Sequence, residues 1–265
     1  MVLSIWAIGS IGAFVWAFML SLKSEQEFYS TKPWQLPQHP NFHAYHVAWS
    51  IGEFGTFFEN SLIVTGIGVV ASVGFSALAA YVLGRIAFPG RRIVNGFFLS
   101  GLMFPPFLLA IPLYFLLIDL HLLGTIWALV VVETAAAIPF NVYVLTSFFR
   151  TLPYEYEEAA AIDGASPTQT FFTVMLPLAR PALTSLAILQ TVFIWNDLFY
   201  PLVFTINENQ STIPLGLLRL SFNADKGGGY TSLFAGLIIT VVPVLVLFGV
   251  AQDRIMSGLT AGVKG

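Results

Sequence analysis

The sequence predicts an all-α membrane protein: six transmembrane helices, with a cytoplasmic helix-turn-helix loop between spans four and five. Three observations predict it. Charged residues make up 9% of the chain and hydrophobic ones 57%, whereas soluble domains carry roughly 25% charged residues. Its polar side chains could not cover a water-facing surface. Several apolar runs reach the length of about 20 residues that a span needs, and helices are the expected spanning elements because each pairs its own backbone. Between two of these runs lies one polar, helix-prone stretch, Glu158 to Pro181, reading EAAAIDGASPTQTFFTVMLPLARP.

The expected spans cover 2–22, 60–84, 93–118, 125–149, 182–204 and 231–251. The first lacks a basic leading region and stays apolar to Leu22, so it reads as an uncleaved span rather than a signal peptide. Pro105, Pro106 and Pro112 interrupt the third, Pro139 the fourth and Pro243 the sixth. Proline in a span frees backbone carbonyls that protein or water must satisfy again, which favours the interior of a bundle. The basic residues set the orientation. With both termini cytoplasmic, Arg85, Arg91, Arg92, Arg150, Arg180, Arg254 and Lys264 lie inside, and Lys23, Lys32, Arg219 and Lys226 lie outside. Residues 23–59 and 205–230 then form outer segments, the second ending in Gly227-Gly228-Gly229. No internal repeat stands out, and 1–265 reads as one membrane domain. The 25 Phe, with Trp and Tyr, suit lipid-facing and interfacial positions.

Residues 150–181 can be derived almost position by position. Pro153 suits a first helical turn, and Glu155, Glu157 and Glu158 place negative charge where the helix dipole favours it. Tyr156, Ala159 and Ala160 share a face with a small-residue notch. Gly164 after Asp163 is the expected left-handed stop. Ser166 then caps a second helix, with Pro167 at its first position and Gln169 completing a capping box. Phe171, Phe172, Val174 and Met175 supply that helix's apolar surface, and Pro177 and Pro181 end the element. Such a loop could lie on the membrane surface. A surface helix usually carries Lys and Arg on its polar face, however, and this one is acidic, which favours a protein partner.

The loop resembles the EAA loop of binding-protein-dependent ABC importers: E-A-A-x-x-D-G-A, five residues, then F-x-x-(I/V)-x-L-P-x-x-x-P. Glu158, Ala159, Ala160, Asp163, Gly164, Ala165, Phe171, Val174, Leu176, Pro177 and Pro181 meet every fixed position. The chain is also similar to the carbohydrate-type, or maltose-type, branch at Ser21–Lys23, Asn60-Ser61, Ala80–Arg92, Trp195-Asn196-Asp197 and Gly258–Gly265. The family's usual basic stretch before span one does not precede it here: either the start is truncated, or orientation depends wholly on the later loops. The resemblance implies a permease subunit of a bacterial plasma membrane importer, paired with a second, different permease and two ATPase subunits, and fed sugar by an external solute-binding protein. It implies that ATP and magnesium belong to the ATPase partners, with no cofactor on this chain. It also implies that Glu158 contacts the ATPase, that Ala159 and Ala160 permit close packing, that Gly164 sets the inter-helix angle, and that the C-terminal tail reaches toward the ATPase dimer.

Glu133, Asn141, Gln190, Trp195, Asn196 and Asp197 lie within apolar runs and are candidates for the substrate pathway, because intramembrane polar groups are costly. Amides can bond sugar hydroxyls, and rings such as Trp195, Tyr200 and Tyr143 can stack on a sugar's apolar face. The same groups can instead tie helices together, at about 0.6–2 kcal/mol each. Trp195-Asn196-Asp197 recurs in the family across many substrates, which favours a scaffold role there, and Glu133 could lie at the outer interface. His39, His43 and His46 cluster in the outer segment, but neither Cys nor a nearby carboxylate completes a metal site. They suit a surface that touches the binding protein, and His121 suits an interfacial turn. No G-x-x-x-x-G-K-(S/T) loop is present, so ATP must be handled elsewhere. A membrane enzyme would want paired catalytic carboxylates or a metal cluster, and an ion-coupled carrier an inverted repeat. Neither pattern is evident. Scattered Lys and Arg give no nucleic-acid stripe.

Overall fold

The computed structural model describes residues 2–223 and 229–261. Lys226, Gly227 and Gly228, and the last four positions of the Gly258–Gly265 tail with Lys264, lie outside the described residues. The helices run in chain order as α1 (Val2–Ser21), α2 (Glu25–Ser30), α3 (His43–His46), α4 (Phe54–Arg85), α5 (Arg91–Gly101), α6 (Pro106–Asp119) and α7 (Ile126–Thr151). They continue as α8 (Glu155–Ile162), α9 (Pro167–Thr170), α10 (Leu176–Leu178), α11 (Arg180–Asn196), α12 (Phe199–Phe204), α13 (Ile213–Asn223) and α14 (Tyr230–Ala261). A π-helical turn, Phe171–Met175, joins α9 to α10, and another, Val47–Ile51, follows α3. Among the described residues there is no strand.

Spans differ from expectation where prolines intervene. By length and apolarity α4, α7 and the Tyr230–Ala251 part of α14 can each cross a membrane alone. The expected span 93–118 is instead two helices, α5 and α6, bent by 101°. Pro105 is extended (φ −63°, ψ 135°) and Pro106 opens α6. Proline disfavours the helical region for the residue before it, and here Pro105 takes the extended alternative and breaks the run. Pro112, Pro139 and Pro243, by contrast, stay inside continuous helices. Segment Pro167–Leu178 and α11 form a second bent pair, at 71°. Counting each bent pair as one span gives five, and α1, 20 residues long, is a further apolar helix at the position of the first expected span.

Contacts gather the chain into two compact units. Residues 62–204 and 247–265 form one, and its core joins Val64, Val73 and Tyr81 of α4 to Leu129, Leu145 and Phe149 of α7. Phe171, Met175, Leu186, Ile194 and Phe204 complete that core. Lipid gives helices no hydrophobic drive to associate, so close packing and small residues must hold them. Gly68 admits the Ile194 side chain, since a Cβ there would lie 3.2 Å from Cδ1. Gly84 lies equally close to Phe149, and a Cβ on Gly101 would come within 2.8 Å of Pro139.

Residues 1–61 and 205–246 form the other unit. Lys23 is buried and donates to Thr31 Oγ1 (2.9 Å) and the Lys32 carbonyl (3.2 Å). Glu25 accepts from the Thr231 amide (2.9 Å) and from the Thr231 hydroxyl. Phe28 stacks on Tyr230 with ring centroids 5.7 Å apart. Asn60 Nδ2 donates to the carbonyls of Asn209 (2.8 Å) and Ser211 (3.0 Å), and Ser61 Oγ accepts from the Ile213 amide (2.9 Å). The Asn-Ser pair thus holds the approach to α13. Among the described residues no group of His, Cys, Asp or Glu is arranged to hold a metal ion, and His46 meets Ser50, at Nδ1 to Oγ 3.5 Å and O to Oγ 2.5 Å.

Candidate functional site

The 150–181 loop owes its shape to local rules. Pro153 precedes the first helix rather than entering it: Tyr154 is the N-cap, and Glu155, Glu157 and Glu158 fill the first turn of α8. At the other end Gly164 is left-handed (φ 79°). The Ala165 amide donates to the Ala160 carbonyl (2.9 Å) and the Gly164 amide to that of Ala161 (3.0 Å), the two bonds that define a Schellman ending. Ser166 and Gln169 then form a reciprocal capping box, with bonds of 2.8 and 3.3 Å, and Pro167 takes the first position of α9. Both halves of the turn are therefore built by residues within five positions of one another.

The faces divide in a way the sequence pattern does not reveal. Glu158, Ala159, Asp163 and Gly164 are exposed and Ala165 is half-buried. Ala160 is 8% exposed and turns inward, so the expected Tyr156–Ala159–Ala160 notch splits: Ala159 is available to a partner, and Ala160 packs within its own chain. The 87% exposed Ile162 is instead the apolar point of the outer face. The next helix divides likewise. Phe171 and Met175 enter the core, while Phe172 is exposed. The π-helical turn that holds them adds a residue to the helical repeat, which redirects the side chains.

Beneath the loop lies a group whose partners the sequence does not reveal. Arg85, at the end of α4, buries its side chain to 1% exposure and pairs with Glu157 Oε2 at 2.5 Å from Nη2 and 2.7 Å from Nε. Its Nη1 donates to the carbonyls of Phe149 (3.2 Å) and Leu152 (2.8 Å), and Nη2 to that of Pro153 (3.2 Å). Its guanidinium lies 3.7 Å over the Tyr154 ring. Arg91 meanwhile donates to the carbonyls of Leu83 (2.7 Å) and Gly84 (2.8 Å), closing the end of α4. The adjacent Gly84 and Arg85 carried a signal only in part, because their partners lie far along the chain.

The six polar span residues fall into two sets. Asn141 is fully buried on α7 and accepts from Gln190 Nε2 of α11 at 2.8 Å. Glu133, also on α7, is buried, not solvated at an interface, and its carboxyl adjoins that of Asp197. Asp197 lies in the break after α11, where its carboxylate accepts from the amides of Phe199 (3.3 Å) and Tyr200 (2.9 Å) and so caps α12. Trp195 and Tyr200 are buried, whereas Tyr143 is exposed. Asn196 is exposed and donates to the Val192 carbonyl (2.7 Å). An apolar groove of about 620 Å³ runs between α4 and α11 beside the loop, lined among others by Val70, Gly74, Leu78, Phe172 and Leu183. None of the six polar residues lines it.

Residues 72–259 match the family described as the binding-protein-dependent transport system inner membrane component. The chain is 38% identical to the diacetylchitobiose uptake system permease protein of Streptomyces coelicolor, over 98% of this chain and 86% of the relative. It is 34% identical to the trehalose transport system permease protein of Mycobacterium tuberculosis, over 95% and 91%. It is 32% identical to the melibiose/raffinose/stachyose import permease protein of Bacillus subtilis, over 92% and 88%. Among solved structures it is similar to a bacterial ABC transporter involved in the import of the acidic polysaccharide alginate. That match has a TM-score of 0.83 at 26% identity and covers 95% of this chain and 93% of the other.

Proposed function

We propose a sugar-transport role from one premise: this chain belongs to the binding-protein-dependent transport system inner membrane component family. It acts as a permease subunit of an ATP-driven importer and passes a carbohydrate from an external solute-binding protein to the cytoplasm by alternating access. The cargo class follows from the relatives, whose names specify diacetylchitobiose, trehalose and melibiose, raffinose or stachyose. Its partners are a second, different permease and two ATPase subunits, which hold ATP and magnesium. The loop faces the cytoplasm, as do both termini.

The observation that carries this reading is the outer face of α8. Exposed Glu158, Ala159 and Asp163 flank the apolar Ile162 at a turn fixed by a Schellman ending and a capping box. An acidic helix with an apolar tip is poorly suited to an anionic lipid surface and well suited to a protein cleft. Within the spans, Asn196 is the candidate placed to meet a passing sugar. An exposed amide facing lipid would be costly, and Phe193, three residues earlier on the same helix, offers an exposed ring. Asn141, Gln190, Glu133, Trp195 and Asp197 then hold the helices.

Gentle purification of the chain from its own membranes, with mass spectrometry of what accompanies it, tests the reading. A second permease together with a nucleotide-binding ATPase is the expected result. Recovery of the chain alone, or with copies of itself, would overturn it.

A further inference from the structure

We propose that Arg85 is a positioning residue that fastens α8 to the ends of α4 and α7, so that the three move as one rigid lever. The inference rests on the importer reading proposed above, with the outer face of α8 seated on an ATPase partner, and supplies a route from that contact into the spans. One buried guanidinium reaches three elements. It pairs with Glu157 in the first turn of α8 and stacks on Tyr154, the N-cap of that helix. It also takes the carbonyls of Phe149 and Leu152, where α7 ends, and of Pro153 in the link. The last carbonyls of a helix have no partner of their own, and a cation there is favoured by the dipole.

Two details make this a fastening rather than incidental packing. Arg91 already satisfies the carbonyls of Leu83 and Gly84 at the end of α4, which leaves Arg85 free to serve its neighbours. The planar fork is also needed, since a lysine ammonium cannot make bonds in several fixed directions while stacking flat on a ring. A force on α8 therefore meets a buried charge. Moving α8 away from α4 would strip the guanidinium of its carboxylate in a site with almost no access to water, which is strongly unfavourable. The lower-cost response is for α4 and α7 to follow.

The chain has no cysteine, so paired spin labels can be placed cleanly. Val82→Cys on α4 and Ala161→Cys on α8 use exposed positions outside the face assigned to the ATPase. Distances would be measured by electron spin resonance in the whole importer, with and without Mg·ATP plus vanadate. A rigid lever gives one narrow distance, the same in both states. Arg85→Gln should broaden it and make it change with nucleotide, while the complex still assembles and hydrolyses ATP. Glu157→Gln should do so more weakly, and serves if Arg85→Gln fails to insert. The double reversal Arg85→Glu with Glu157→Arg should not restore the narrow distance, because the carbonyl bonds and the Tyr154 stack stay lost.

An unchanged narrow distance in both single variants would overturn the lever. So would a native distance that itself changes with nucleotide. If no ATPase accompanies the native chain, it is the coupling reading that fails. Co-purification with an unchanged distance in the variants condemns the lever alone.

Discussion

Gly164 shows what a single residue contributes here. Its φ of 79° is a conformation that costs an ordinary L-residue roughly 1–2 kcal/mol, yet no atom stands within 4 Å of where a Cβ would go. The constraint is purely conformational. Gly164→Ala should therefore fold and retain transport with a mild loss of loop stability, of about 1 kcal/mol. Gly164→Pro cannot take that φ, loses the amide that bonds Ala161, and forces Asp163 out of the helical region. It should abolish coupled ATP hydrolysis while the chain still inserts. Glu158→Lys, which leaves the turn intact, should do likewise by reversing charge on the outer face. Uptake and ATP hydrolysis in reconstituted vesicles check all three, and normal transport by the proline variant would show that the turn does not matter. Gly164, Ser166 and Gln169 were legible in the sequence because their partners lie within five residues. Arg85 was not, because Glu157 is 72 residues away and a charge near a span end reads equally well as a topology signal.

At the scale of elements, the polar residues inside the spans read as pathway or as ties, and only packing could separate the two. Asn141 and Gln190, on α7 and α11, bond each other at 2.8 Å, with Asn141 Nδ2 otherwise unpartnered. Replacing one member leaves the other amide buried without its partner, a penalty of about 1–3 kcal/mol. Replacing both with leucine removes the orphan. Asn141→Leu and Gln190→Leu should each lower the thermal stability of the detergent-solubilised complex, and the double variant should lose less than their sum. The coupling should be on the order of 1 kcal/mol, since interhelical bonds in membranes average about 0.6. Strict additivity would remove the tie and return both residues to the pathway. The two bends were illegible for a related reason. Averaged over a span-length window, the runs on either side of Pro105-Pro106 and Asn196-Asp197 stay apolar, so hydropathy cannot show a 101° bend or a helix restarted by an Asp197 cap.

For the whole molecule, the membrane assignment is the most legible feature, because composition alone forbids a water-soluble surface. The exposed rings and branched side chains of Trp6, Phe75, Phe97, Phe107 and Val250 are the kind of surface that lipid, and not water, would cover. Sidedness is a separate matter. It is an expectation from the basic residues, with Arg85, Arg91, Arg92, Arg150 and Arg180 expected inside and Lys23, Lys32 and Arg219 outside. Arg85 and Arg91 are bound to backbone carbonyls, so they serve structure as well as insertion. A direct test is available because the chain is free of cysteine. Thr168→Cys, exposed on α9 beside the acidic helix, should resist a membrane-impermeant thiol reagent in intact cells and react in inside-out vesicles. Trp34→Cys, in the segment assigned outside and also exposed, should behave in the opposite way. The reverse pattern would put the acidic helix on the face away from ATP. No ATPase could then seat it, and the transport reading would fail however good the geometry of the loop.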